Sequence, residues 1–272
     1  MAPTTTRARV RTAVPWPLAV PAAVGVAFLL LPLAGLLLRA PWPHLPEALA
    51  DAGVVSALRL SLLCATAATA VSLVLGVPLA WLLARVRGRT AGALRALVTL
   101  PLVFPPVVGG VALLMALGRK GVAGRYLDAW FGLTLPFTTL GVIVAETFVA
   151  MPFLVITVEG ALRSADQGLE EAAATLGSRP FATFRRVTLP LIAPSLVAGS
   201  VLCWARALGE FGATITFAGN FPGTTQTMPL AIYNALESDP DGAIALSLVL
   251  LAVSVAVLAL LRDRWLRPGT TV

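Results

Sequence analysis

The chain has 272 residues, 58% of them hydrophobic before its 23 glycines are counted and only 12% charged, with a formal net charge of +7. Soluble domains run at about 45–50% apolar and about 25% charged, so a soluble globule is excluded, as is a disordered chain, which needs low hydrophobicity and high charge. The basic excess does not describe a nucleic-acid binder either, because the arginines stand singly or in small groups between long uncharged runs instead of clustering with aromatic platforms.

The first uncharged run, Thr12 to Leu38, follows Arg7, Arg9 and Arg11 as a secretory leader follows its charged region. Leu18 to Leu38 is longer than the roughly 7–15 residues of a leader's apolar region, and it ends in Leu38-Arg39-Ala40-Pro41 without a small-x-small site. It reads as a retained span over 18–38 behind a cytoplasmic tail, 1–17. Further runs cover Leu60 to Ala84, Ala96 to Gly118, Ala129 to Val158 interrupted by Glu146, Val187 to Leu236 interrupted by Arg206 and Glu210, and Gly242 to Leu261.

A hydrocarbon core about 30 Å thick takes around 20 residues of helix, and without water only helices satisfy such a backbone internally. The expectation is an all-α polytopic membrane protein of six transmembrane helices. Val187 to Leu236 is too long for one helix, and Asn220, Pro222 and Gly223 mark a loop, so the fifth span is placed at Leu191 to Ala218. In the third span Pro105-Pro106 followed by Gly109-Gly110 predicts a kink or an unwound stretch, a candidate gate.

Arg and Lys counts in alternate loops set orientation. With the N-terminus inside, the inner segments take the groups at Arg7–Arg11, Arg85–Arg95, Arg163–Arg186 and Arg262–Arg267, and the outer loops only Arg39, Arg119, Lys120 and Arg125. Both termini, including a C-terminal tail over 262–272, are placed in the cytoplasm, which makes the chain a multi-pass protein of the cytoplasmic membrane.

The inner loop from Glu159 to Pro190 keeps a helical pattern. Ala172, Ala173 and Leu176 share one face, Gly177 ends that helix in a left-handed conformation, and Ser178 with Pro180 starts another that runs until Leu189-Pro190 turns back toward the membrane. Within it, Glu171-Ala172-Ala173, three residues, Gly177, nine residues, then Val187-Thr188-Leu189-Pro190 resembles the EAA loop of permease subunits of binding-protein-dependent ABC importers. The resemblance implies a type I importer permease (MetI-like) fold, with a permease core over 54–261 and a coupling loop over 159–190 that docks on a separate cytoplasmic ATPase dimer. It further implies that Glu171, Ala172, Ala173, Gly177, Val187, Leu189 and Pro190 carry that coupling.

The chain itself has no G-x-x-x-x-G-K-[ST] loop and its single lysine, Lys120, is on the outer side, so ATP and Mg are expected in the partner ATPase and no cofactor in this chain. No catalytic or metal constellation can be assembled from one histidine, His44, and two cysteines, Cys64 and Cys203, that lie in apolar runs. The chain is read as a permease subunit and not as an enzyme.

A second resemblance concerns cargo. Ala205-Arg206-Ala207-Leu208-Gly209-Glu210-Phe211-Gly212-Ala213-Thr214, with Gly223-Thr224-Thr225-Gln226-Thr227 and Leu100-Pro101-Leu102-Val103-Phe104-Pro105-Pro106, is similar to the molybdate permease group. Sulfate and thiosulfate permeases share the Arg-x-x-Gly-Glu-Phe-Gly portion. The resemblance implies import of molybdate, or of tungstate with the same shape and charge, together with an extracytoplasmic binding protein and a second copy of the chain as partners. Arg206 and Glu210, four apart and expected on one helical face, allow two readings: a buried ion-pair lock extended to Glu146, or a positive field on the pathway of a dianion. Of Thr214 and Thr216, at most one can line that pathway; the other reading is a hydrogen bond to a carbonyl one turn earlier. Two other classes stay open: an ion-coupled secondary carrier using Glu146, Arg206 and Glu210, and a membrane scaffold whose loop recruits a partner.

Overall fold

The computed structural model describes residues 16–265, in which all regular structure is helical. The helices are α1 (Trp16–Leu38), α2 (Leu45–Ala50), α3 (Ala52–Arg85), α4 (Arg89–Val103), α5 (Pro106–Leu117), α6 (Gly124–Phe131), α7 (Thr139–Ser164), α8 (Gln167–Thr175), α9 (Pro180–Thr183), α10 (Leu189–Leu208), α11 (Gly212–Ala218), α12 (Met228–Ser238) and α13 (Pro240–Trp265). Five are long and apolar enough to cross a membrane when α9 and α10 are taken together, and α4 with α5 makes a sixth as a broken pair. Most of the predicted tails, 1–15 and 266–272, with Arg7, Arg9, Arg11 and Arg267, lie outside the described residues.

Helix starts follow from short polar side chains that satisfy otherwise orphaned N–H groups. Asp51 accepts from Val54 N at 3.0 Å to start α3, Thr138 from Gly141 N at 3.1 Å to start α7, and Asp166 from Gly168 N at 2.9 Å to start α8.

The core is built around α7, which α3 and α10 flank. Small residues make the approach close: a Cβ on Gly76 of α3 would stand 3.2 Å from Val155, and one on Gly199 of α10 3.1 Å from Leu154. Ala65, Ala68, Leu154, Val155, Val158 and Cys203 belong to this cluster, which confirms Cys203 as a buried apolar residue; Cys64 is buried beside Val142. A second cluster, with Leu113, Ala145, Val149, Ala213 and Phe217, joins α5, α7 and α11. A third, with Ala57, Met228, Leu246 and Val249, joins α3, α12 and α13. Nothing in α1 is buried, as suits a helix whose apolar surface faces lipid.

Several boundaries differ from those read in the sequence. The second span begins at Ala52, eight residues before its uncharged run, because Asp51 caps it and Arg59 is carried on an exposed side. The fourth begins at Thr139 instead of Ala129, since Gly132 adopts a left-handed φ of 62° that ends α6 before the chain reaches Thr138. The fifth stops at Leu208: the chain breaks over Gly209–Phe211 and resumes as the separate helix α11, not as a continuation to Ala218. Leu189-Pro190 does not turn the chain back either. Pro180 to Leu208 runs on as one apolar helical stretch through a π turn over Phe184–Thr188, closed by Leu189 N to Phe184 O. A wide turn of this kind lets a helix pass a proline that cannot donate to its own ladder.

Candidate functional site

The third span is the most distorted element of the bundle. Its two halves, α4 and α5, meet at 116° across Phe104-Pro105. Pro105 has no N–H to continue α4, Phe104 before it is held extended at ψ 133°, and Pro106 takes the first position of α5, where a missing donor is harmless. Beyond the break α5 lies against α11 with almost no space between the backbones. A Cβ on Gly110 would fall 2.6 Å from Thr216 Cβ and 2.9 Å from Ala213 O, and one on Gly212 2.6 Å from Pro106 Cβ.

At the bend is a cavity of about 160 Å³ lined by Pro101, Phe104, Pro105, Pro106, Gly109, Phe148, Phe153 and Arg206, among others. The structure thus brings three of the four predicted gate residues to one wall shared with the predicted pathway arginine; the fourth, Gly110, is the contact with α11. Arg206 is 29% exposed and its Nη1 donates to Glu210 Oε2 at 2.7 Å.

The pair forms across a helix end and not along one helix face: Gly209 caps α10 and Glu210 stands beyond it. Its other oxygen, Oε1, accepts from Ala213 N at 2.8 Å and so supports the start of α11. One buried carboxylate therefore ties the end of α10, the start of α11 and the arginine together, with both oxygens engaged.

Glu146 does not extend this pair among the described residues. It is 1% exposed in α7, and its Oε2 has no hydrogen-bond partner. Thr216 donates back to Gly212 O at 2.8 Å, as anticipated, whereas Thr214, fully buried, has no hydroxyl partner among the described residues. A guanidinium with one donor spent on Glu210 retains four, beside a cavity wall that is otherwise apolar and aromatic.

The loop between α7 and α10 forms the second region. Gly177 has φ +82°, Ser178 N donates to Ala173 O at 3.0 Å and Gly177 N to Ala174 O at 2.9 Å, the paired bonds that finish a helix on a left-handed glycine. Glu171 and Ala172 are exposed and Ala173 is half-buried; Leu176, 87% exposed, and Phe181, 75% exposed, flank the turn as apolar groups left uncovered among the described residues. Val187 and Leu189 are half-buried in the run that enters the membrane domain.

Two ion-pair sets under this loop were not singled out in the sequence. Glu159, 6% exposed, takes Arg95 at 2.7 Å and Arg163 at 3.0 Å. Glu170 takes Arg85 Nη2 at 2.6 Å on Oε2 and Thr188 Oγ1 at 2.6 Å on Oε1. Burial pushes the Glu170 carboxyl up, but the Thr188 hydroxyl and the Arg85 guanidinium outweigh it and hold it below the ordinary range. Only the Glu159–Arg163 spacing of four was visible along the chain; Arg85 is 85 residues from its partner.

Residues 76–271 match the family model of the binding-protein-dependent transport system inner membrane component. The chain belongs to this family. The Molybdenum transport system permease protein ModB of Mycobacterium tuberculosis is 51% identical over 237 residues, 87% of this chain and 89% of the relative. The probable sulfate transport system permease protein cysT of Zygnema circumcarinatum is 35% identical over 247 residues, 89% and 85% of the two chains. Among solved structures, a chain of a bacterial ABC transporter involved in import of the acidic polysaccharide alginate superposes with a TM-score of 0.72 at 20% identity, covering 94% of this permease and 96% of that chain. The permease fold expected from the loop motif is therefore present.

Proposed function

We propose that this permease is the membrane subunit of an ATP-driven importer of molybdate, with tungstate accepted alongside it. The observation that carries the cargo is the 51% identity to the molybdenum permease, sustained over most of both chains. The geometry supports it at the bend of the third span, where Arg206 offers guanidinium donors beside an apolar, proline-walled cavity. The guanidinium donors not spent on Glu210 suit the oxygens of a compact oxyanion, and the cavity is too tight for a large solute.

In this reading a cytoplasmic ATPase dimer docks on the loop around Glu171–Gly177, an extracytoplasmic binding protein delivers the oxyanion, and two copies of the chain enclose one route. Both termini face the cytoplasm. Nucleotide-driven closure of the ATPase pair displaces the loops, and rigid-body motion of α10 against α5 and α7 opens the bend alternately to either side.

A sulfate permease is the second reading, favoured by the 35% identity to the sulfate permease relative. The two separate in one experiment. With the assembled complex in vesicles and each cognate binding protein loaded in turn, molybdate or tungstate should stimulate ATP hydrolysis and sulfate should not; stimulation by sulfate alone would reverse the assignment.

A further inference from the structure

One carboxylate fastens the coupling helix to the bundle. Glu170 stands in the first turn of α8; its Oε2 accepts from Arg85, in the last turn of α3, and its Oε1 from Thr188, in the π turn at the foot of α10. Both partners are anchored independently of it. The Arg85 guanidinium lies over the Trp81 ring at 4.0 Å, and Thr188 is 2% exposed. Among the described residues no other side chain of α8 hydrogen-bonds to α3 or α10. Besides these two bonds α8 is held by its chain connections, through Ala165-Asp166 on one side and the left-handed Gly177 on the other, and by packing against α9 and the π turn, so losing Glu170 frees the helix to tilt relative to α3.

We infer that Glu170 is a positioning residue of the transport cycle, the pin through which displacement of α8 is delivered at once to α3 and to the π turn of α10. The inference rests on the reading that an ATPase displaces this loop. A carboxylate held at both oxygens cannot slide along either partner, so α8, the end of α3 and the foot of α10 move as one body. The Thr188 hydroxyl and the Arg85 guanidinium lower the Glu170 pKa, which favours the charged form of the pin. From its foot α10 runs on to Arg206 in the cavity wall, and α3 packs along α7, whose Phe148 and Phe153 line the same cavity, so the pin joins the loop to one cavity helix directly and to another through α3.

The test uses the full chain reconstituted with its ATPase and binding protein, and reads molybdate transported per ATP hydrolysed together with ATPase co-purification. Glu170→Ala should leave co-purification intact and lower molybdate per ATP by about threefold to tenfold, the span expected for losing one charge-assisted pair that is partly solvated. Thr188→Val, which removes only one of the two bonds, should fall between it and the wild type. The exchanged pair Arg85→Glu with Glu170→Arg should recover most of the ratio, because the Thr188 hydroxyl can accept as well as donate. Transport and hydrolysis that fall in proportion, with assembly reduced, would overturn the pin in favour of a purely structural contact, as would an unchanged ratio in Glu170→Ala. A wild-type chain that holds no ATPase would instead overturn the coupling reading itself.

Discussion

Arg206 and Glu210 show how a single substitution can mislead. Removing the arginine alone leaves Glu210 buried and without a cation, a loss of about 3–5 kcal/mol by the usual behaviour of such pairs, so poor assembly of Arg206→Ala would say nothing about transport. The informative variant is the double one, Arg206→Gln with Glu210→Gln, which removes both charges while the amide carbonyl that replaces the carboxylate can still accept from Ala213 N. It should assemble like the wild type and transport molybdate at least about tenfold more slowly, since the net charge is unchanged but an amide offers an oxyanion fewer and weaker donors than a guanidinium. Wild-type uptake by the double variant would leave the pair with a locking role only. At this scale the sequence exposed the two charges, because any charge in an apolar run stands out, but not their geometry. The spacing of four predicted a shared helix face, and the actual contact depends on Gly209 ending α10 and on a carboxylate recruited to start α11. Glu170 was illegible for a plainer reason: nothing local marks a glutamate whose partner lies on another helix.

Among the elements, the coupling loop and the broken span were the most legible. Their signals are stereochemical, a glycine that must go left-handed and two prolines that cannot donate, and both act within a few residues. Gly177→Val places a β-branched side chain at φ +82°, costing on the order of 1–2 kcal/mol and undoing the two bonds that finish α8. Membrane insertion should persist while oxyanion-stimulated ATP hydrolysis is lost; full stimulation in this variant would show that the turn has no part in coupling. Gly177→Asn, which tolerates the left-handed region better, should retain more of it. Helix ends inside apolar runs were the least legible. The uncharged run at 129–158 hides the end of α6 at Gly132, and the one after Val187 hides the break after Leu208, because apolar residues continue on either side of each; the π turn over Phe184–Thr188 straddles the start of that run and has no residue pattern of its own.

Over the described residues, three features follow one another: a loop that leaves Leu176 and Phe181 exposed, clasps at Glu159 and Glu170, and a bent third span with one arginine at its cavity. A secondary carrier does not need the first feature, and a scaffold does not need the last. What ties them into one machine is the claim that movement of the loop opens the bend. The direct measurement is molybdate accumulation in vesicles holding this permease and its binding protein, with and without the ATPase and ATP. The account predicts accumulation only when both are supplied; uptake that continues in the absence of the ATPase would contradict it.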